Sequence, residues 1–106
     1  MEYPAYFAAG LFLANGIPHF VNGVSGRKFQ SPFASPPGVG ESSPMVNVIW
    51  GLANLILGFI MVFGVGKFET ILSLDMLIMM AGFCVMSLVL AWHFGRVRNP
   101  VDSSSD

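Results

Sequence analysis

Residues 44–66 read PMVNVIWGLANLILGFIMVFGVG, a run without one charged side chain. A bilayer's hydrocarbon core is about 30 Å thick and takes roughly 20 apolar helical residues to cross. In lipid a helix satisfies its own backbone hydrogen bonds, so this run predicts a transmembrane helix. Its ends carry helix signals. Ser43 is a natural N-cap, and Pro44 fits the first helical position, where a missing N–H costs nothing. Gly64 and Gly66 close the run before Lys67. Two more apolar stretches flank it, over 3–24 and 71–95, and only Asp75 interrupts them.

The expected fold is all-α, a single transmembrane domain over 1–106 with three transmembrane helices at about 3–24, 44–66 and 70–96. A long ordered loop covers 25–43, and a disordered polar tail covers 99–106. Pro18 removes one backbone hydrogen bond around Ala14 and should kink helix 1. The short link through Glu69 and Thr70 predicts an antiparallel hairpin of helices 2 and 3. The first stretch has no basic segment before it, only Glu2, so it reads as a retained helix rather than a signal peptide.

Composition agrees with this class. Charged residues make up 10% of the 106-residue chain and apolar residues 54%, against about 25% charged in a soluble domain. A net charge of −1 offers no basic face for nucleic acid. The single cysteine, Cys84, excludes an intramolecular disulfide and has no metal-ligand spacing, so no metal site is expected.

Positive charge sets the orientation. Arg27, Lys28, Arg96 and Arg98 fall on the side of the long loop and C-terminus, and Lys67 on the other. Lys and Arg collect on the cytoplasmic side. The N-terminus is therefore expected outside, with the 25–43 loop and C-terminus cytoplasmic. Asp75 falls in the first turns of helix 3, where the dipole favours a carboxylate.

Polar residues trace one helical face in each of the first two helices. Asn15, His19 and Asn22 are spaced by four and three; Asn47, Gly51, Asn54 and Gly58 by four, three and four. If Ser25 and Pro44 mark the cytoplasmic ends of antiparallel neighbours, residues whose numbers sum to about 69 share a depth. Asn15 then meets Asn54, Asn22 meets Asn47, and His19 lies level with Trp50 and Gly51. Two readings are open. Such pairs can simply join helices, at roughly 0.6 to 2 kcal/mol each, with glycines allowing close approach. Ionisable groups inside a membrane also mark ligand or proton sites. On the second reading Asn15, His19, Asn22, Asn47, Trp50 and Asn54 are the ligand-binding set.

A haem between His19 and His93 would need both imidazoles at similar depth. The register puts His93 level with about Ser43, roughly 10 Å from His19 along the axis. No cofactor is expected, and His93 reads as interfacial. The loop SGRKFQSPFASPPGVGESS is too long for a turn, and Phe29 and Phe33 favour an ordered cap over the polar stripe. Its GVGESS segment lacks the Lys-Ser/Thr of a phosphate loop. Arg27, Lys28, Arg96 and Arg98 are still a candidate set for an anion or lipid headgroup near the helix 2 N-terminus.

The run Asn15-Gly16-Ile17-Pro18-His19-Phe20 is followed by Asn22-Gly23, Gly26, Phe29, Pro32-Phe33, Pro36-Pro37-Gly38, Ser42-Ser43-Pro44 and Asn47. In this the chain resembles, over Leu11 to Phe59, a group of small bacterial inner-membrane proteins of uncharacterised function. The resemblance implies no activity, only that the Pro18-His19 corner, the loop and the start of helix 2 form one unit. The expected function is a small polytopic membrane protein that binds or conducts a small polar solute, ion or lipid headgroup at the Asn/His stripe. Its expected partners are membrane lipid, further copies of itself or a larger membrane protein, with the Gly16/Gly23 and Gly51/Gly58 stripes as packing faces. The alternative is a non-catalytic accessory subunit whose stripe only packs helices. A membrane enzyme comes third, because no paired carboxylates or nucleophile–base spacing accompany His19.

Overall fold

The computed structural model describes residues 2–68 and 73–99. Three helices dominate: α1 (Tyr3–Val24), α2 (Pro44–Phe63) and α3 (Leu74–Arg98). Between α1 and α2 the loop folds into a two-stranded antiparallel ladder, β1 (Phe29–Gln30) against β2 (Glu41–Ser42). This short sheet is absent from the all-α expectation. The expected link through Glu69 and Thr70, and the tail beyond Asn99, lie outside the described residues.

Local chemistry sets the ends. At α2 the Ser43 hydroxyl accepts the Val46 N–H at 3.2 Å, and Pro44 opens the first turn. Ser73 caps α3 the same way through Met76, so α3 starts later than expected from hydropathy. It also runs on to Arg98, with Arg96 and Arg98 in its last turn facing the negative end of the dipole. α2 stops at Phe63 rather than Gly66 because Gly64 forms its C-cap. Helix α1 runs unbroken through Pro18, and the chain turns away at Gly26, whose φ of 77° suits glycine.

α1 is the central helix. It packs against both α2 and α3, which barely touch each other. The expected hairpin of helices 2 and 3 is therefore corrected: α1 lies between them. The α1–α2 pair is antiparallel, with Gly23 against Val48, Gly16 against Leu55 and Gly58 against Leu13. These pairs sum to 71, which is within one helical turn of the expected register. A Cβ on Gly51 would come within 2.6 Å of the Phe20 nitrogen, so the backbones are in contact there. All four stripe glycines are buried inside the chain. They serve as close-packing faces between α1 and α2 within one chain. α1 and α3 run parallel and cross where Gly10 meets the Met79 carbonyl and Gly82 meets the Phe7 carbonyl.

Polar and apolar residues are distributed inversely to a water-soluble protein. His19, Asn47 and Asn54 are at most 2% exposed. Ile49, Ile56, Phe59 and Phe63 of α2, and Leu77, Leu88 and Trp92 of α3, are exposed. Among the described residues two helices, α2 and α3, are long and apolar enough to cross a membrane. Only 28% of the most apolar part of α2 and 6% of that of α3 is buried. A core helix of a soluble domain would be mostly covered.

Candidate binding site under the loop

The α2 stripe turns onto α1, and Asn15 reaches Asn54. The Asn15 Nδ2 donates to Asn54 Oδ1 at 3.0 Å, and Asn54 Nδ2 donates to the Trp50 carbonyl at 2.8 Å. A membrane hydrogen bond of this kind contributes about 1 kcal/mol. We predict that Asn15→Leu and Asn54→Leu each lower stability by about 1 to 2 kcal/mol. A double-mutant cycle measured by unfolding in detergent should show coupling of at least about 0.5 kcal/mol.

The second expected pair does not form. Asn22 Nδ2 donates to the Pro18 carbonyl at 2.8 Å, and its Oδ1 accepts from Arg27 Nε at 2.9 Å. Depth was not the error. Gly23 occupies the face packed on Val48, and its neighbour Asn22 is rotated about 100° away.

Asn47 takes His19 instead. Its Nδ2 lies 3.0 Å from the Phe29 carbonyl, 3.2 Å from that of Ser42 and 3.1 Å from that of Ser43. Carbonyls only accept, so these contacts fix the amide orientation and turn Oδ1 towards His19. The His19 Nδ1–H donates to it at 2.9 Å. In the neutral ring Nε2 is then an acceptor, with no protein partner among the described residues. Asn47, fully buried, joins the helices to both ends of the loop.

The loop is pinned from within and from α3. Ser31 and Ser42 share a hydroxyl–hydroxyl bond of 2.5 Å, and the Gly38 N–H donates to the Ser31 carbonyl at 2.9 Å. From α3, the His93 Nε2–H donates to the Gly38 carbonyl at 2.8 Å, leaving Nδ1 as an acceptor. Arg98 donates to Gln30 Oε1 at 3.0 Å, sits 3.7 Å from Glu41 and lies over the Phe29 ring. Phe94 packs edge-on against Phe29 at 4.7 Å and His19 at 6.1 Å, and Phe33 packs on Trp50 at 5.0 Å.

These elements border a partly open pocket of about 190 Å³. Asn15 and His19 of α1, Trp50 of α2, and His93 and Phe94 of α3 form its walls. Gln30, Ser31, Pro32 and Gly38 of the loop cover it. The indole N–H of Trp50 is buried with no partner among the described residues. Of the sequence candidates, the structure brings Asn15, His19 and Trp50 to the pocket. Asn47 and Asn54 stand behind them as orienting groups, and Asn22 is turned elsewhere.

His93 differs most from its expected place. It is half-buried and lines the same pocket as His19, rather than standing about 10 Å from it along the axis. The register had been carried through the α2–α3 link, whereas α3 takes its position from α1. The loop residues were missed as pocket lining because their approach depends on long-range bonds. Only Phe29 and Phe33 signalled that the loop would pack.

The four basic residues do not share one contact set. Arg27 bonds Asn22, Arg96 lies over Trp92, Arg98 holds the loop and Lys28 is exposed. Among the described residues no three His, Cys, Asp or Glu side chains are grouped to hold a metal ion. Comparison with family models, curated proteins and solved structures gives no match to this chain.

Proposed function

We propose that this chain is a small integral membrane protein that binds a small polar solute in the pocket under its loop. The observation that carries this reading is His19. Its imidazole is buried, oriented by Asn47, and has a second nitrogen with no partner in a pocket wall. Helix packing alone would not need that nitrogen. On this reading α1 is a third crossing between α2 and α3, bent at Pro18. The loop end carries Arg27, Lys28, Arg96 and Arg98, and so faces the cytoplasm by the positive-inside rule. The resemblance over Leu11 to Phe59 points to a bacterial inner membrane.

Binding is favoured over conduction through one copy. Beyond the pocket, Gly10, Gly58 and Gly82 bring α1 into backbone contact with its neighbours, and α2 and α3 enclose no space of their own. A second reading, an accessory subunit, is favoured by a wholly apolar groove of about 330 Å³ beside the loop. Phe33, Val46, Ile49, Trp50 and Ala53 line it.

Native mass spectrometry of protein released gently from its own membrane separates the two. A reproducible small added mass, lost in His19→Gln, is the expected result. Bare protein held only to a second polypeptide would favour the accessory reading.

A further inference from the structure

The hydrogen-bonding groups of the residues that line the pocket define the kind of molecule it can hold. Three are acceptors without partners. His19 Nε2 and His93 Nδ1 follow from the bonds made by the opposite ring nitrogens. Asn15 Oδ1 follows because its Nδ2 faces Asn54 Oδ1, whose own amide is oriented by the Trp50 carbonyl. Two are donors: the orphaned Trp50 indole N–H, and the Gln30 amide, whose oxygen already accepts from Arg98. No Asp, Glu, Lys or Arg lines the pocket among the described residues.

From this set we infer that the ligand is a small uncharged solute carrying several hydroxyl groups, a conclusion that rests on the binding reading above. An anion would face three lone pairs. A cation would find no carboxylate in the pocket and would meet two donors, with Arg98 bonded to one of them. An uncompensated charge in a low-dielectric site is costly. A hydroxyl both donates and accepts, so a polyol satisfies the mixed set with no net charge. The volume of about 190 Å³ is about six times the ~30 Å³ share of one liquid water, which suits a molecule the size of glycerol. Trp50 and Phe94 supply flat apolar walls for its carbon face.

The test uses the full chain in lipid nanodiscs with ¹⁵N-labelled imidazoles, of which there are two. It is titrated separately with glycerol, ammonium, inorganic phosphate and zinc. Saturable shifts of His19 and His93 with glycerol alone are expected. Trp50→Phe removes the orphaned donor together with part of the indole ring; the protein that remains folded, as judged by thermal unfolding, should bind glycerol about tenfold more weakly. Unchanged glycerol affinity in that variant would overturn the assignment. Saturation by ammonium, phosphate or zinc but not glycerol would overturn the uncharged class and leave the pocket as a binding site. No response to any of the four would overturn both.

Discussion

Asn47→Leu is expected to lower stability by about 3 to 5 kcal/mol, the largest effect of any polar substitution in the chain. Leucine keeps the volume but removes four hydrogen bonds made by one fully buried side chain. The His19 Nδ1–H loses its acceptor and is left without a partner, while the Phe29 carbonyl loses the amide but keeps its ladder pairing with Ser42. Each buried group left without a partner costs about 1 to 3 kcal/mol. Ser43 loses less, because its carbonyl also accepts from the Asn47 backbone N–H at 3.1 Å. The damage should be local as well as global. Hydrogen exchange in β1 and at Gly38 and Gly40 should accelerate well beyond that in the middle of α2. Chemical unfolding in detergent and residue-resolved exchange check the two parts.

Gly82→Val is expected to cost about 3 kcal/mol and to separate α3 from α1. A side chain at Gly82 would strike the Phe7 carbonyl, and one at Gly10 would lie 2.5 Å from the Phe83 nitrogen. Both obstacles are backbone, so no rotamer change relieves them and the helices must move apart. Overpacking of this kind typically costs 1 to 3 kcal/mol, occasionally more. Without a hydrophobic drive between helices in lipid, close packing is what is lost. Gly95 is the control, since a Cβ there would meet nothing within 4 Å. Gly95→Val should change stability by less than about 0.5 kcal/mol. Thermal unfolding of the three proteins side by side decides the comparison.

The α1–α2 relationship was legible because two kinds of signal coincide. Capping at Ser43 and Pro44 located one end, and the Asn spacing marked a face, so Asn15 could be placed opposite Asn54. Depth alone does not give azimuth, which is why Asn22 was paired with Asn47 although Gly23 holds the contact face. α3 was hardly legible. Its apolar residues surround the helix, so no stripe marks a side, and only Gly82 records the crossing with α1. His93 was misplaced for the same reason. In the loop, order could be expected from Phe29 and Phe33. The bonds from His93 to Gly38 and from Arg98 to Gln30 join residues far apart in sequence and have no local signature.

The central claim is that α1 crosses the bilayer between α2 and α3, which puts His19 inside the membrane with its pocket under the loop. Single cysteines at Glu2, Ser35 and Lys67, in a Cys84→Ser background, test it by labelling intact cells with an impermeant maleimide. The account predicts labelling of the Glu2 and Lys67 positions from outside, and of the Ser35 position only after the membrane is opened. Labelling of the Glu2 and Ser35 positions from the same side would contradict it.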